Sequence, residues 1–89
     1  MNSLKLTSEQ QGAIIEAVNN QGTSFVARTI ARDPDVLKAF GVVYGDGTEG
    51  FLDLVTTVRR YFDDLHEEGM IVRVGKSFWW RNKGVRIGR

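Results

Sequence analysis

The spacing of apolar residues changes along the chain, and each change marks an element. Ala13, Ile14, Ala17 and Val18 recur at three- and four-residue steps, which puts them on one helical face. Thr7 precedes them as an N-cap, and Gln10 is placed to reach back to it in a capping box. This predicts a first helix over about residues 8–20, with Asn19-Asn20-Gln21-Gly22 as its stop. Thr23 or Ser24 is then expected to cap a second helix that buries Phe25, Val26, Ile30 and Ala31. Asp33-Pro34 ends or bends it, because a residue before proline avoids the α region. Pro34 suits the first position of a new turn whose apolar side is Val36, Leu37 and Phe40, with Gly41 as its stop.

Residues 41–48, GVVYGDGT, read as a loop or a short extended piece ending at Thr48, a cap for the next helix. Glu49 sits well for the positive end of that helix dipole. Phe51, Leu54, Val55, Val58, Phe62 and Leu65 give the longest helical stripe, predicting a helix over about 50–68 that closes at Gly69. Residues 70–74 are then rich in β-branched side chains. Gly75-Lys76 fits a two-residue type II′ turn, and the chain returns from Ser77 to Arg81. That turn pairs Val74 with Ser77, Val72 with Trp79 and Ile71 with Trp80. Residues 82–89 read as a frayed basic tail. The expected fold class is mainly α with a C-terminal β-hairpin (α+β), in a single domain over residues 1–89. A lone hairpin is marginal in water, so it must lie against the helices.

Composition narrows the classes. Eighty-nine residues, 42% apolar and 26% charged, suit one soluble domain with little room for a deep cleft. No run of apolar residues is long enough to span a bilayer, and the start MNSLKLTSEQQ carries no secretion-signal pattern. The sequence has no cysteine, which excludes disulfides and thiolate metal sites and fits a cytoplasmic protein. The net charge of +1 hides an asymmetry: residues 1–68 carry −5, and residues 69–89 carry +6. The basic end is either a solvated charge run or a surface for an anionic partner.

The stretch TTVRRYFDDLHEEGMIVRVGKSFWW, residues 56–80, resembles the third helix and wing of the winged helix-turn-helix DNA-binding superfamily. Thr57, Val58, Arg60, Phe62, Leu65, Gly69, Met70 and Ile71 match the family's run from helix into hairpin. The resemblance implies a winged-helix-like three-helix core plus wing, and a partner in double-stranded DNA. It implies that Thr56, Thr57, Arg59 and Arg60 of helix 50–68 face the major groove, where arginine reads guanine edges. Arg73, Lys76, Ser77 and Arg81 would hold phosphates from the 70–81 wing, with Lys83, Arg86 and Arg89 doing so from the tail. The connection into helix 50–68 is longer than the 3–4-residue turn of a helix-turn-helix. A plainer account of the helix arginines pairs Arg59 with Asp63 and Arg60 with Asp64, worth about 0.3–0.5 kcal/mol each.

Trp79 and Trp80 must point to opposite faces of their strand. Alternation alone does not say which covers the core. The outer ring would either stack on a base or pack on a partner, beside Arg73, Lys76 and Arg81, or be buried too in a small two-sided core. GDGTEG, residues 45–50, lacks the residues that complete a P-loop or an EF-hand. His66 is the single histidine, with no cysteine to help it hold zinc, and no nucleophile motif accompanies it. No cofactor, metal or catalytic residue is therefore expected.

The leading expectation is a small double-stranded DNA-binding protein, a transcriptional regulator that gains affinity as a homodimer or beside another protein. The alternative is a non-enzymatic protein-interaction module, an adaptor or inhibitor of the size of small phage proteins. A single-strand binder using the tryptophans is a third.

Overall fold

The computed structural model describes residues 6–21, 24–45, 48–76, 78–82 and 86–88. Its elements follow the order α1 (Ser8–Asn19), β1 (Ser24–Phe25), α2 (Ala27–Ala31), α3 (Pro34–Phe40), α4 (Glu49–Glu67), β2 (Ile71–Val74) and β3 (Phe78–Arg81). The fold is mixed α and β: among the described residues there are four helices and one antiparallel sheet in the order β1-β3-β2.

Local chemistry explains the helix boundaries. The Thr7 hydroxyl accepts from the Gln10 amide at 3.1 Å, and the Gln10 side chain accepts from the Thr7 amide at 3.0 Å. Asp33 caps α3 by accepting from the amides of Asp35 (2.8 Å) and Val36 (3.3 Å), with Pro34 at the first helical position. Gly41 ends α3 in the left-handed region (φ 65°), where a side chain would be strained. Thr48 departs from expectation. It occupies the N-cap position of α4, but its hydroxyl donates to the Gly45 carbonyl at 2.7 Å and caps nothing.

The second helix also departs. Ser24 and Phe25 form a strand, and helix begins only at Ala27. Thr23 lies outside the described residues. A tertiary partner overrides the local capping signal: Ser24 pairs with Trp80 and Phe25 with Trp79. The expected hairpin is therefore part of a three-stranded sheet with β3 in the middle.

The core lies between α4, the other helices and the inner face of this sheet. Phe51, Val58 and Phe62 of α4 are fully buried, as are Ile14, Val18, Ile30, Val36 and Ile71. At its centre the Phe62 ring meets Phe25 edge-on at 5.3 Å and Trp79 at 5.7 Å between centroids. Each such pair is worth about 0.5–1.5 kcal/mol beyond the area it buries. Gly69, with φ 80°, lets the chain leave α4 and enter β2 against this core.

Of the expected frayed tail, residues 86–88 are docked on the body. Ile87 is buried, and its backbone is clasped by the buried Asn19 of α1. The Asn19 amide donates to the Ile87 carbonyl at 2.9 Å, and its oxygen accepts from the Ile87 N–H at 2.8 Å. One side chain thus satisfies both polar groups of a buried residue, which would otherwise cost free energy.

Phe62→Ala should lower unfolding free energy by about 3–5 kcal/mol, the usual cost of emptying a buried aromatic site. Urea denaturation followed by circular dichroism measures it, and a loss below about 1 kcal/mol would remove Phe62 from the centre of this account.

Candidate nucleic-acid interface

The hairpin's register decides what its residues face. The observed pairs are Val74 with Phe78, Arg73 with Trp79, Val72 with Trp80 and Ile71 with Arg81. This is one residue off the expected pairing, because residues 75–77 connect the strands in place of a two-residue turn. A one-residue slip moves every side chain to the other face. Gly75 still adopts the positive φ (80°) that the turn demands.

The sheet therefore has two unlike faces. Inward lie Phe25, Ile71, Arg73, Trp79 and Arg81; outward lie Ser24, Val72, Val74, Phe78 and Trp80. Trp79 is 4% exposed and Trp80 is 47% exposed, so the core with both rings buried does not form. Nor does Trp80 share its face with Arg73 or Arg81, as a stacking platform would need.

On the inner side, a groove of about 360 Å³ opens between the start of α2, one flank of α4 and the hairpin. Val26, Ala27, Val55 and Trp79 supply its apolar lining. Arg28, Arg59, Arg73 and Lys76 supply four positive charges from three separate parts of the chain, and among the described lining residues Asp63 is the one carboxylate. Two contacts fix Arg73. Its guanidinium lies 5.7 Å from the centroid of the Trp79 ring, a cation–π distance, and donates to the Lys76 carbonyl at 2.9 Å. Among the described residues, no hydrogen bond or ion pair holds the Arg59 or Arg60 side chain, so the expected pairs with Asp63 and Asp64 are not made. Arg28 lies with its guanidinium 5.8 Å from the centroid of the buried Phe51 ring.

Of the residues singled out in the sequence, the groove gathers Arg59, Arg73, Lys76 and Trp79. Thr56, Thr57 and Arg60 lie elsewhere on α4: at about 100° per residue, Thr57 and Arg59 stand about 160° apart around the helix. Arg81 is turned back to the body and donates to the Gln21 carbonyl at 3.4 Å. Arg86 is paired with Glu16 of α1 at 3.3 Å, with both side chains more than half exposed. Ser77, Lys83 and Arg89 lie outside the described residues. Arg28 was missed by sequence reasoning. The only signal for it was an exposed position on a short helix, and nothing local ties that position to the hairpin.

His66 is bound into this structure too, its Nδ1 3.1 Å from the Ile71 carbonyl and its ring 5.6 Å from Trp79. Among the described residues, no group of three His, Cys, Asp or Glu side chains could hold a metal ion. None of the described helices is long and apolar enough to cross a membrane. Comparison with protein-family models, curated proteins and solved structures gave no match.

The two tryptophans can be told apart in solution. Iodide should quench the fluorescence of Trp80 and spare that of Trp79, so Trp80→Phe should abolish most of the quenching and Trp79→Phe should leave it. The reverse result would mean the register is that of a two-residue turn.

Proposed function

We propose that this chain is a small winged-helix-like protein that binds double-stranded DNA, with the cationic groove and the hairpin tip as its contact surface. The observation that carries the reading is the convergence of Arg28, Arg59, Arg73 and Lys76 on one groove, where Asp63 is the one carboxylate among the described lining residues. Cations gathered from three segments raise the local positive potential, which attracts an anionic partner. Phosphodiesters are such a partner, since phosphate contacts supply most of the sequence-independent affinity of DNA-binding proteins. The helix order, the Gly69 exit from α4 and the hairpin that follows support the winged-helix resemblance. The connection over residues 41–48 remains longer than a helix-turn-helix turn.

Fluorescence anisotropy with a labelled duplex tests the reading. Binding should weaken steeply with salt, with a log–log slope of about −0.9 for each phosphate neutralised, or about −3 to −4 for the four cations. Absence of binding at low salt would overturn the proposal.

A second reading, a protein-docking module, is favoured by one observation. Phe78 (53% exposed) and Trp80 (47%) stand with Val72 and Val74 on an outer sheet face that carries no charge. Aromatic residues of this kind anchor protein interfaces. Because this face is turned away from the groove, Trp80→Ala should leave duplex affinity within about twofold in the same titration. A large loss would return the ring to nucleic-acid stacking, where about 1–3 kcal/mol per base is at stake.

A further inference from the structure

We infer that duplex DNA is held across the hairpin and the groove flank of α4 by its phosphates, without sequence preference, and that the outward face of α4 stays out of the major groove. This inference rests on the nucleic-acid reading above and narrows its ligand to the sugar-phosphate backbone.

Helix geometry gathers the charges of α4 into stripes. Glu49, Asp53, Thr56, Arg60, Asp63 and Glu67 follow one another at steps of four and three, so they form a single stripe along α4. All six are exposed, and the stripe lies opposite the buried row of Phe51, Val58, Phe62 and Leu65. It is the surface that a helix lying in the major groove would present. It carries four carboxylates and one guanidinium. A major groove is walled by phosphates on both sides, so this stripe would bring like charges together along its whole length. Only Thr56 and Arg60 offer the donors that base edges require.

The groove flank beside it is mainly cationic, with Asp63 standing at the edge between the two. Arg59 lies about 100° around the helix from Arg60, beside Val55, and joins Arg28, Arg73 and Lys76. Arg73 is held over Trp79, and Lys76 stands exposed beside it in the turn. A grip through phosphates alone suits an accessory DNA-binding role better than the reading of an operator.

The test compares three variants of the full chain, with circular dichroism to check that each is folded. Lys76→Ala and Arg59→Ala should each weaken duplex binding several-fold and reduce the salt slope by about one unit. The double variant Thr56→Ala/Arg60→Ala should stay within threefold of the parent, and unlabelled duplexes of different sequence should compete equally. A loss beyond threefold in the double variant, or one competitor sequence displacing far better than the rest, overturns the inference and leaves the DNA reading standing. Failure of the parent chain to bind any duplex at low salt removes both. Should Arg59→Ala prove unfolded, Lys76→Ala decides alone, because its side chain is exposed in the turn: an unchanged salt slope in that variant counts against the hairpin grip.

Discussion

The Phe62 ring, held edge-on between Phe25 and Trp79, is the contact on which the rest of this structure depends. It joins three segments that are distant in the chain: the strand after α1, the middle of α4 and the return strand of the hairpin. An aromatic ring presents a positive edge and a negative face, so the T-shaped arrangement sets angles as well as distances. Phe25 on one side and Trp79 on the other are themselves paired across β1 and β3. The sheet is thereby fixed to the helix at one point, and the residues around that point inherit their positions. Arg73 lies over Trp79 because it is Trp79's cross-strand partner. Arg59 reaches the groove because it is one turn before Phe62 on the flank that faces the hairpin.

The distribution of charge in space differs from its distribution in sequence. An acidic body of −5 and a basic end of +6 suggest two poles. Folding redistributes them. Arg86 binds Glu16, and Arg81 donates to the Gln21 carbonyl, so part of the basic end is turned towards the body. In the other direction, Arg28 and Arg59 of the acidic portion join Arg73 and Lys76. The cationic surface is thus built from both halves, while the outward stripe of α4 keeps its carboxylates. The same helix contributes one side to each environment, which a net charge per segment cannot express.

The sheet repeats this division. Cross-strand neighbours share a face, so pairing Arg73 with Trp79 and Val72 with Trp80 separates a cation-bearing inner face from an uncharged aromatic outer face. The separation turns on the length of the connection at residues 75–77. With one residue fewer, Trp80 would join Ile71 on the inside and Trp79 would face outward. The two surfaces of the hairpin consequently differ in chemistry, one bearing cations and the other apolar.

Local signals in the sequence determined much of this. The Thr7–Gln10 capping box, the Asp33-Pro34 start of α3, the left-handed glycines at 41, 69 and 75, and the apolar stripe of α4 all act over a few residues, and each appears where its chemistry places it. Arg59, Arg73, Lys76 and Trp79 were legible as candidates because charge and aromaticity are properties of single residues. Tertiary structure alone decided the remainder. Ser24 and Phe25 became a strand because β3 offers them hydrogen bonds and Phe62 offers Phe25 a ring. The residues around Ile87 were ordered by Asn19, sixty-eight positions away. The choice between Trp79 and Trp80, and the addition of Arg28 to the groove, were made in the same way. In each case the deciding free energy is a contact between distant segments, and the sequence near either partner carries no trace of the other.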